Sequence, residues 1–387
     1  MRKLHLPLCL LVCVLSGCSI FGSKDDGVEP PMELTEFPSS VEFKRVLSVG
    51  IGDSGEDLRL ALRPTGDGSR VYVANASGEV LAFDAKTHKK VWQKNLKVAL
   101  TAGPGVGDGK VAVAERNGNL VALDSRTGDE LWRKDIAAEV LAPPVIGGQR
   151  VFVRTVDGRL LALDAETGNE LWFVEQPVPR LSQRGTGAPV ISGDSVIAGF
   201  DNGRILAAGL LDGEVLWELP LGMPSGRTDI ERMVDADGAI AAVGKDLYVT
   251  GFNARTAAVA AESGQPLWGR DLSSYAGLGI DWTNVYLTLD SDQVIAIARA
   301  NGAQEWSNEQ FLRRELTAPV SFGEYAVVGD FEGYLHFLSA GTGVIAGRVR
   351  ASDDRIVNRP YVMGNTLYVQ TEGGRVAGYQ IRTNEKD

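Results

Sequence analysis

Cysteine and histidine are both scarce, at three each in 387 residues. The cysteines, Cys9, Cys13 and Cys18, all lie at the N-terminus. The remainder of the chain therefore has no disulfide, no thiol nucleophile and no Cys-x-x-Cys-His haem attachment, and its stability must come from core burial. Beyond position 18 the histidines are His88 and His336, far apart in sequence, which leaves little for metal or general-base work. Glycine-rich phosphate loops and nucleophile elbows are missing as well. Net basic charge is also missing: 39 basic against 50 acidic residues leave −11, which argues against nonspecific nucleic-acid binding and against a basic membrane patch. These absences point away from an enzyme and away from a resident cofactor or metal.

One apolar run exists, Leu4 to Leu15, preceded by Arg2 and Lys3. It is too short to span a bilayer and has the form of a secretory signal. It ends in Leu15-Ser16-Gly17-Cys18, which resembles a bacterial lipobox. Residues 1–17 are expected to be removed and Cys18 to be lipidated, its acyl chains anchoring the protein more firmly than a single chain could. Ser19, with no Asp there, resembles the sorting signal of outer-membrane lipoproteins in Gram-negative bacteria. The stretch to Ser40 is polar and carries Gly22, Gly27, Pro30, Pro31 and Pro38. Residues 18–40 thus read as the lipidated Cys and a flexible tether with a span of roughly 25 Å.

What the chain does have is glycine, 46 residues of it, set in turns of a repeat of about 40 residues. Trp92, Trp132, Trp172, Trp217, Trp268 and Trp306 mark six copies, and Gly347 takes the same place in a seventh. Four residues before the marker stand Gly128, Gly168, Gly213, Gly264, Gly302 and Gly343, with His88 as the exception. Such glycines supply φ > 0 in a turn. Eight before the marker the first three copies carry Asp84, Asp124 and Asp164. Pairs such as Asn117-Gly118 and Asp157-Gly158 form a second turn and a strong hairpin signal. Runs such as Val151-Phe152-Val153 have strand chemistry, and Pro64, Pro104, Pro144, Pro189 and Pro319 open a further strand. Each block therefore reads as four antiparallel strands.

Near the C-terminus, Pro360, Leu367-Tyr368-Val369 and Arg375-Val376-Ala377 match the first three strands of a block and stop. Val41 to Val49 supplies a lone strand, with Phe43 near the tryptophan position. The expected fold over 41–387 is all-β: a monomeric eight-bladed β-propeller whose N-terminal strand joins the C-terminal blade and closes the ring. The tryptophans are expected to pack onto neighbouring blades.

Measured against the repeat, two connections are too long. Most copies take 10 to 13 residues from the marker to the next opening strand, whereas Trp172 to Pro189 takes 17 and Trp217 to Ile240 takes 23. These consecutive loops should stand side by side at one rim, where insertions commonly carry function. Leu181 and Met233 are candidate apolar anchors, with Arg180, Arg184, Asp235 and Asp237 as charged neighbours. The same charges could instead serve only to tie the two loops together.

The run Ala-Leu-Asp-x-x-Thr-Gly-x-x-x-Trp at Ala122 to Trp132 and Ala162 to Trp172 resembles the tryptophan-docking repeat of quinoprotein dehydrogenases, a repeat that also occurs in proteins without a quinone. Lipobox, tether, eight blades and little else together resemble the BamB family, lipoproteins of the machinery that inserts β-barrels into the Gram-negative outer membrane. The resemblance implies a noncatalytic scaffold on the periplasmic face of that membrane, assisting the insertion of outer-membrane proteins. It further implies that the two loops bind a POTRA domain of the barrel subunit BamA by β-augmentation, with unfolded outer-membrane proteins as further candidate partners. The family pattern places a Leu and an Arg in the first loop and Asp-x-Asp in the second, matched here by Leu181, Arg184, Asp235 and Asp237; Gln183 replaces an apolar residue.

Two rivals remain in the sequence. A quinone (PQQ)-dependent dehydrogenase shares the repeat, but the chain is short for that class and has no vicinal cysteines; Asp290-Ser291-Asp292 could suggest calcium but sits at a hairpin position and reads as a solvated turn. A polysaccharide-binding propeller is the other, with Trp282 and Tyr275 off the repeat register, where they read as local core.

Overall fold

A computed structural model describes residues 29–52, 60–182, 185, 187–224, 227–228, 230–236 and 238–382. Residues 1–17, expected to be removed, and Cys18, expected to carry lipid, lie outside the described residues. The chain from Pro31 onward forms one compact unit, and it is all-β, with no α-helix among the described residues. Eight sheets follow one another around an axis. Blade 1 holds Thr65–Gly66, Arg70–Ala74, Glu79–Asp84 and Lys90–Asn95; blade 3 holds Val145–Gly147, Arg150–Arg154, Arg159–Asp164 and Glu170–Glu175. Blade 4 runs from Val190–Ser192 to Val215–Pro220 and blade 5 from Ala241–Val243 to Pro266–Arg270. In each blade the first strand is innermost, against the first strands of its neighbours, and the fourth is outermost and alternates exposed with buried residues. The expected eight-bladed propeller is the fold observed.

The outer strands explain the repeat. In blades 1 to 6 the sheet register slips by one residue just before the marker, as at Glu130/Trp132. This bulge turns Leu131 outward and Trp132 inward. Every marker tryptophan faces an alanine of the third strand, Trp92 opposite Ala82 and Trp132 opposite Ala122, so the indole has room to lean onto the next blade. There its N–H donates to a turn carbonyl: Trp92 to Ser125 at 2.9 Å, Trp132 to Ala165 at 2.9 Å, Trp306 to Ala340 at 2.8 Å. The ring covers the glycine of that same turn. A Cβ on Gly128, Gly168 or Gly343 would lie 2.7, 2.7 or 2.4 Å from a ring carbon of Trp92, Trp132 or Trp306. The glycine is thus required twice, by its positive φ and by the ring above it. The turn itself is tied by the aspartate eight residues before the marker. Asp84 accepts from the Thr87 amide at 2.7 Å and its hydroxyl at 2.8 Å, and Asp164 is bound likewise by Thr167. These donors hold both carboxyls below their ordinary 3.8.

Ring closure breaks the rule at two seams, and both exceptions follow from it. Blade 8 is built from Tyr361–Met363, Thr366–Gln370, Arg375–Ile381 and, outermost, the N-terminal strand Phe43–Gly50. Its bulge lies between Arg45 and Leu47, with Leu47 opposite Gly378. The residue at the tryptophan position is therefore Leu47, and the expectation for Phe43 is corrected by four residues. With no indole arriving from blade 8, the turn between the third and fourth strands of blade 1 needs no glycine: His88 stands there at φ 57, its ring 6.3 Å from that of Tyr368. At the preceding seam the third and fourth strands of blade 8, Arg375–Ile381 and Phe43–Gly50, are not consecutive in the chain, so no turn joins them. Gly347 takes the marker position opposite Phe337, and Phe43 fills the space, its ring 4.0 Å from that of Phe337.

The segment preceding this strand is laid on the blades over much of the stretch read as a tether. Ser40 N donates to Ala346 O at 2.8 Å and Met32 N to Leu312 O at 3.1 Å, and Leu34 and Phe37 pack on the core around Trp306 and Phe311. Two arginines clamp it. Arg314 donates to Met32 O at 2.9 Å, and Arg348 donates to Thr35 O at 3.2 Å with its guanidinium over the Phe37 ring. Behind them lies a buried network. Arg314 binds Asp330 through two nitrogens at 2.8 and 3.0 Å. Arg348 Nε donates to Nδ1 of His336 at 3.1 Å, so that nitrogen is an acceptor; Nε2 carries the proton, 2.9 Å from Asp330 Oδ2. His336 is a core residue held neutral, because burial pushes it below its ordinary 6.5 against the pull of Asp330.

Two predictions follow from this packing. Trp132→Ala should cost about 3–5 kcal/mol and Gly168→Ala about 1–3 kcal/mol, whereas His88→Gly should change stability by less than about 1 kcal/mol; urea unfolding checks the order, and an equal cost at all three positions would contradict the docking account. His336 is neutral when folded and takes up a proton when unfolded, so its contribution is complete above 6.5 and is lost as pH falls below it. Stability should therefore drop between about pH 7.5 and about pH 5.5, by at most about 1.4 kcal/mol per pH unit for this one proton, and His336→Gln should flatten that slope.

Candidate functional site

An antiparallel four-stranded meander sorts its connections onto two faces. The turns between strands one and two and between three and four share one face. The hairpins between strands two and three share the other with the linkers that lead to the next blade. Both overlong connections are linkers, residues 176–189 and 221–240, so both emerge on this linker face. The structure brings them together around one groove of about 340 Å³, lined by Val178, Arg180 and Leu181 from the first and by Arg232, Met233 and Val234 from the second.

The first linker is proline-rich at Pro177 and Pro179 and is held from beneath. Arg154, at the end of the second strand of blade 3, forms a buried ion pair with Asp201 in the hairpin of blade 4 and donates to Gly185 O at 3.4 Å. The hairpin is fixed further by Asn202, which donates to Gln176 Oε1 at 3.0 Å, and Gln176 donates in turn to Glu218 at 2.8 Å. Val178 and Leu181 are left exposed at the rim, Leu181 at 42 %.

The second linker folds on itself before it anchors. Glu231 accepts from the amides of Arg227 and Thr228 at 2.7 and 3.1 Å, and the Thr228 hydroxyl accepts from the Glu231 amide at 3.2 Å. This is a capping box, and its amide donors hold the Glu231 carboxyl below its ordinary 4.5. The turn presents Ile230, 69 % exposed, and Met223 earlier in the same linker is 78 % exposed. Beyond it the chain dives inward. Val234 and Ala236 join the core of blades 4 and 5, Ala236 N donates to Phe200 O at 3.2 Å, and Asp235 pairs with Phe252 through Asp235 N to Phe252 O at 3.0 Å.

Of the expected contact residues, Leu181 stands at the rim. Asp235 is 1 % exposed, placed to tie the second linker to its blade rather than to meet solvent. Gln183, Arg184 and Asp237 lie outside the described residues. Ile230 and Met223 are exposed apolar residues of the second linker that sequence reading missed. The capping box Thr228-x-x-Glu231 was visible in the sequence and would have pointed to Ile230.

Two other expectations are corrected. Trp282 is 92 % exposed and is not core. It sits in the turn before Asn284–Thr288 while Tyr275 precedes Leu278–Ile280, so the two lie at opposite ends of that inner strand and form no common sugar platform. Asp290-Ser291-Asp292 is a hairpin turn as expected, with Asp290 and Ser291 exposed, but Asp292 is not solvated. Asp292 is buried and accepts from the Glu315 and Leu316 amides at 2.8 and 2.9 Å, and Asp290 accepts from the Tyr275 amide at 2.9 Å. They bracket the linkers on either side of blade 6, and burial pushes Asp292 above its ordinary 3.8. Among the described residues no three His, Cys, Asp or Glu side chains are grouped to hold a metal ion.

A protein-family profile described as "Outer membrane protein assembly factor BamB" matches residues 76–308. Proteins of that name from Marinobacter adhaerens and Pseudomonas aeruginosa are 48% and 44% identical, over 99% and 98% of this chain and 97% and 99% of theirs. The chain belongs to the BamB family. The crystal structure of BamB from Moraxella catarrhalis superposes with a TM-score of 0.80 at 29% identity, covering 88% of this chain and all of that one. The quinohemoprotein alcohol dehydrogenase of Comamonas testosteroni superposes at 0.70 with 13% identity, over 89% of this chain and 78% of that one, and shares the fold alone.

The Arg154–Asp201 pair holds the floor of the groove. Asp201→Asn, which strands a buried guanidinium, should cost about 3–5 kcal/mol, and the double change Arg154→Met/Asp201→Leu should cost less. Denaturant unfolding of both variants decides; a double change costlier than the single one would refute the pairing.

Proposed function

We propose that this chain is a noncatalytic scaffold subunit of the outer-membrane β-barrel assembly machinery. It would be held at the periplasmic face of the outer membrane by lipid on Cys18, and it would bind a POTRA domain of the barrel subunit BamA through the two long linkers. The observation that carries the reading is their convergence. Two consecutive insertions meet at one groove lined by the exposed Val178 and Leu181, and the second insertion also exposes Met223 and Ile230, while the chain beneath is pinned by Arg154, Asp201, Val234 and Ala236. Exposed apolar anchors on a rigid floor, with Arg180 and Arg232 alongside, suit a protein partner better than a small substrate. Main-chain pairing with the partner would add affinity, and Gln183, Arg184 and Asp237 would contribute specificity.

Capture of BamA by the full-length lipoprotein tests the reading. Leu181→Asp and Ile230→Asp, both exposed and therefore expected to fold, should each reduce capture at least ~10-fold, as should Arg184→Ala. Undiminished capture by all three would sink it. Cys18→Ala should leave capture intact in detergent but release the protein from membranes.

A further inference from the structure

Fourteen residues enclose a second cavity on the linker face, at the axis, about 120 Å³ in volume and built from the lead-ins to the inner strands of blades 5, 6, 7, 8 and 1. Such a volume holds several waters or a phosphate-sized ion. Arg63 and Arg359 both line it. They start from adjacent anchor points, since Asn358 donates to Leu60 O at 2.9 Å and Leu62 O at 3.1 Å. The architecture thus forces two guanidinium groups together. Neither side chain has a hydrogen bond or ion pair among the described residues, and among the described residues that line the cavity the one acid, Glu315, is 3.4 Å from Arg355. That arrangement is unexpected in a chain of net charge −11, where carboxylates are plentiful. Both arginines are half-buried, and holding two like charges together without a counter-charge among the described residues is costly.

We propose that this axial cavity binds a small oxyanion, phosphate or carboxylate in class, gripped by the paired forks of Arg63 and Arg359. Guanidinium forks match such oxygens two at a time. Burial and the Arg63 charge lower Arg359 to about 10, so it still carries its charge at neutral pH, and burial lowers Arg63 as well. Arg355 keeps Glu315 turned to its own guanidinium, and the Asp292 carboxylate is occupied by the amides of Glu315 and Leu316. The site is independent of the partner groove, which lies between blades 3, 4 and 5.

Titration calorimetry of the purified full-length protein, in chloride buffer of constant ionic strength, tests this with inorganic phosphate and citrate as separate probes. One probe should bind saturably at one site; phosphate alone would identify a phosphoryl ligand and citrate alone a polycarboxylate. Arg63→Gln and Arg359→Gln should each weaken it roughly 10- to 100-fold, Arg63→Lys should weaken it less, and the exposed control Lys245→Gln should not. Folding is read in parallel. Without anion the double variant should unfold at a temperature no lower than the native chain, because it lacks the repulsion, and the probe that binds should raise the midpoint of the native chain alone. Absence of binding by both probes, or equal affinity in the double variant, would overturn the proposal.

Discussion

Each marker tryptophan closes a seam by doing three things to the next blade at once. It buries a large apolar ring, it donates to a carbonyl of the turn, and it covers the glycine beside that carbonyl. Ring and turn come from different blades, so neither sheet is complete alone. The alanine opposite each indole and the bulge before it are the local conditions for that reach. Where the ring must close on the two chain ends, the same interaction cannot be made. The residue set then changes as a group: Gly347 with Phe43, and Leu47 with His88.

Adhesion of this kind leaves the linkers free to vary. The blades meet through outer-strand tryptophans and inner-strand contacts, so a linker can lengthen without loosening a seam. Two consecutive linkers have done so. They keep short inward anchors, Gly185 on Arg154 and Ala236 on Phe200, and spend the remaining length on rim residues. The fold thus supplies a fixed platform on which the two long linkers stand. The axial arginines are a different product of the same geometry, where inner-strand lead-ins are forced together.

The blade count, strand order and closure were legible because they repeat: periodic tryptophans, glycines and prolines report the same contact many times over. Single events were harder. Leu47 was missed in favour of Phe43 because a bulge shifts the register within a strand whose partner lies more than 300 residues away. Leu34 and Phe37 carry no periodic signal, so their packing could not be told from a polar tether. Trp282 shows the converse: an aromatic off the repeat can be read as core until its turn is seen. Loop length pointed to the two linkers that meet at the groove, where Leu181 is exposed. The buried position of Asp235 was not, because it depends on pairing with Phe252.

The claim on which the functional account rests is that the linker face, and not the opposite one, meets the partner. Site-specific photo-crosslinking in intact cells measures it directly, with the crosslinker placed at position 181 or 230 on one face and at 211 or 344 on the other. The account predicts adducts with BamA from 181 and 230 and none from 211 and 344. Adducts from 211 or 344 alone, or from all four equally, would contradict it.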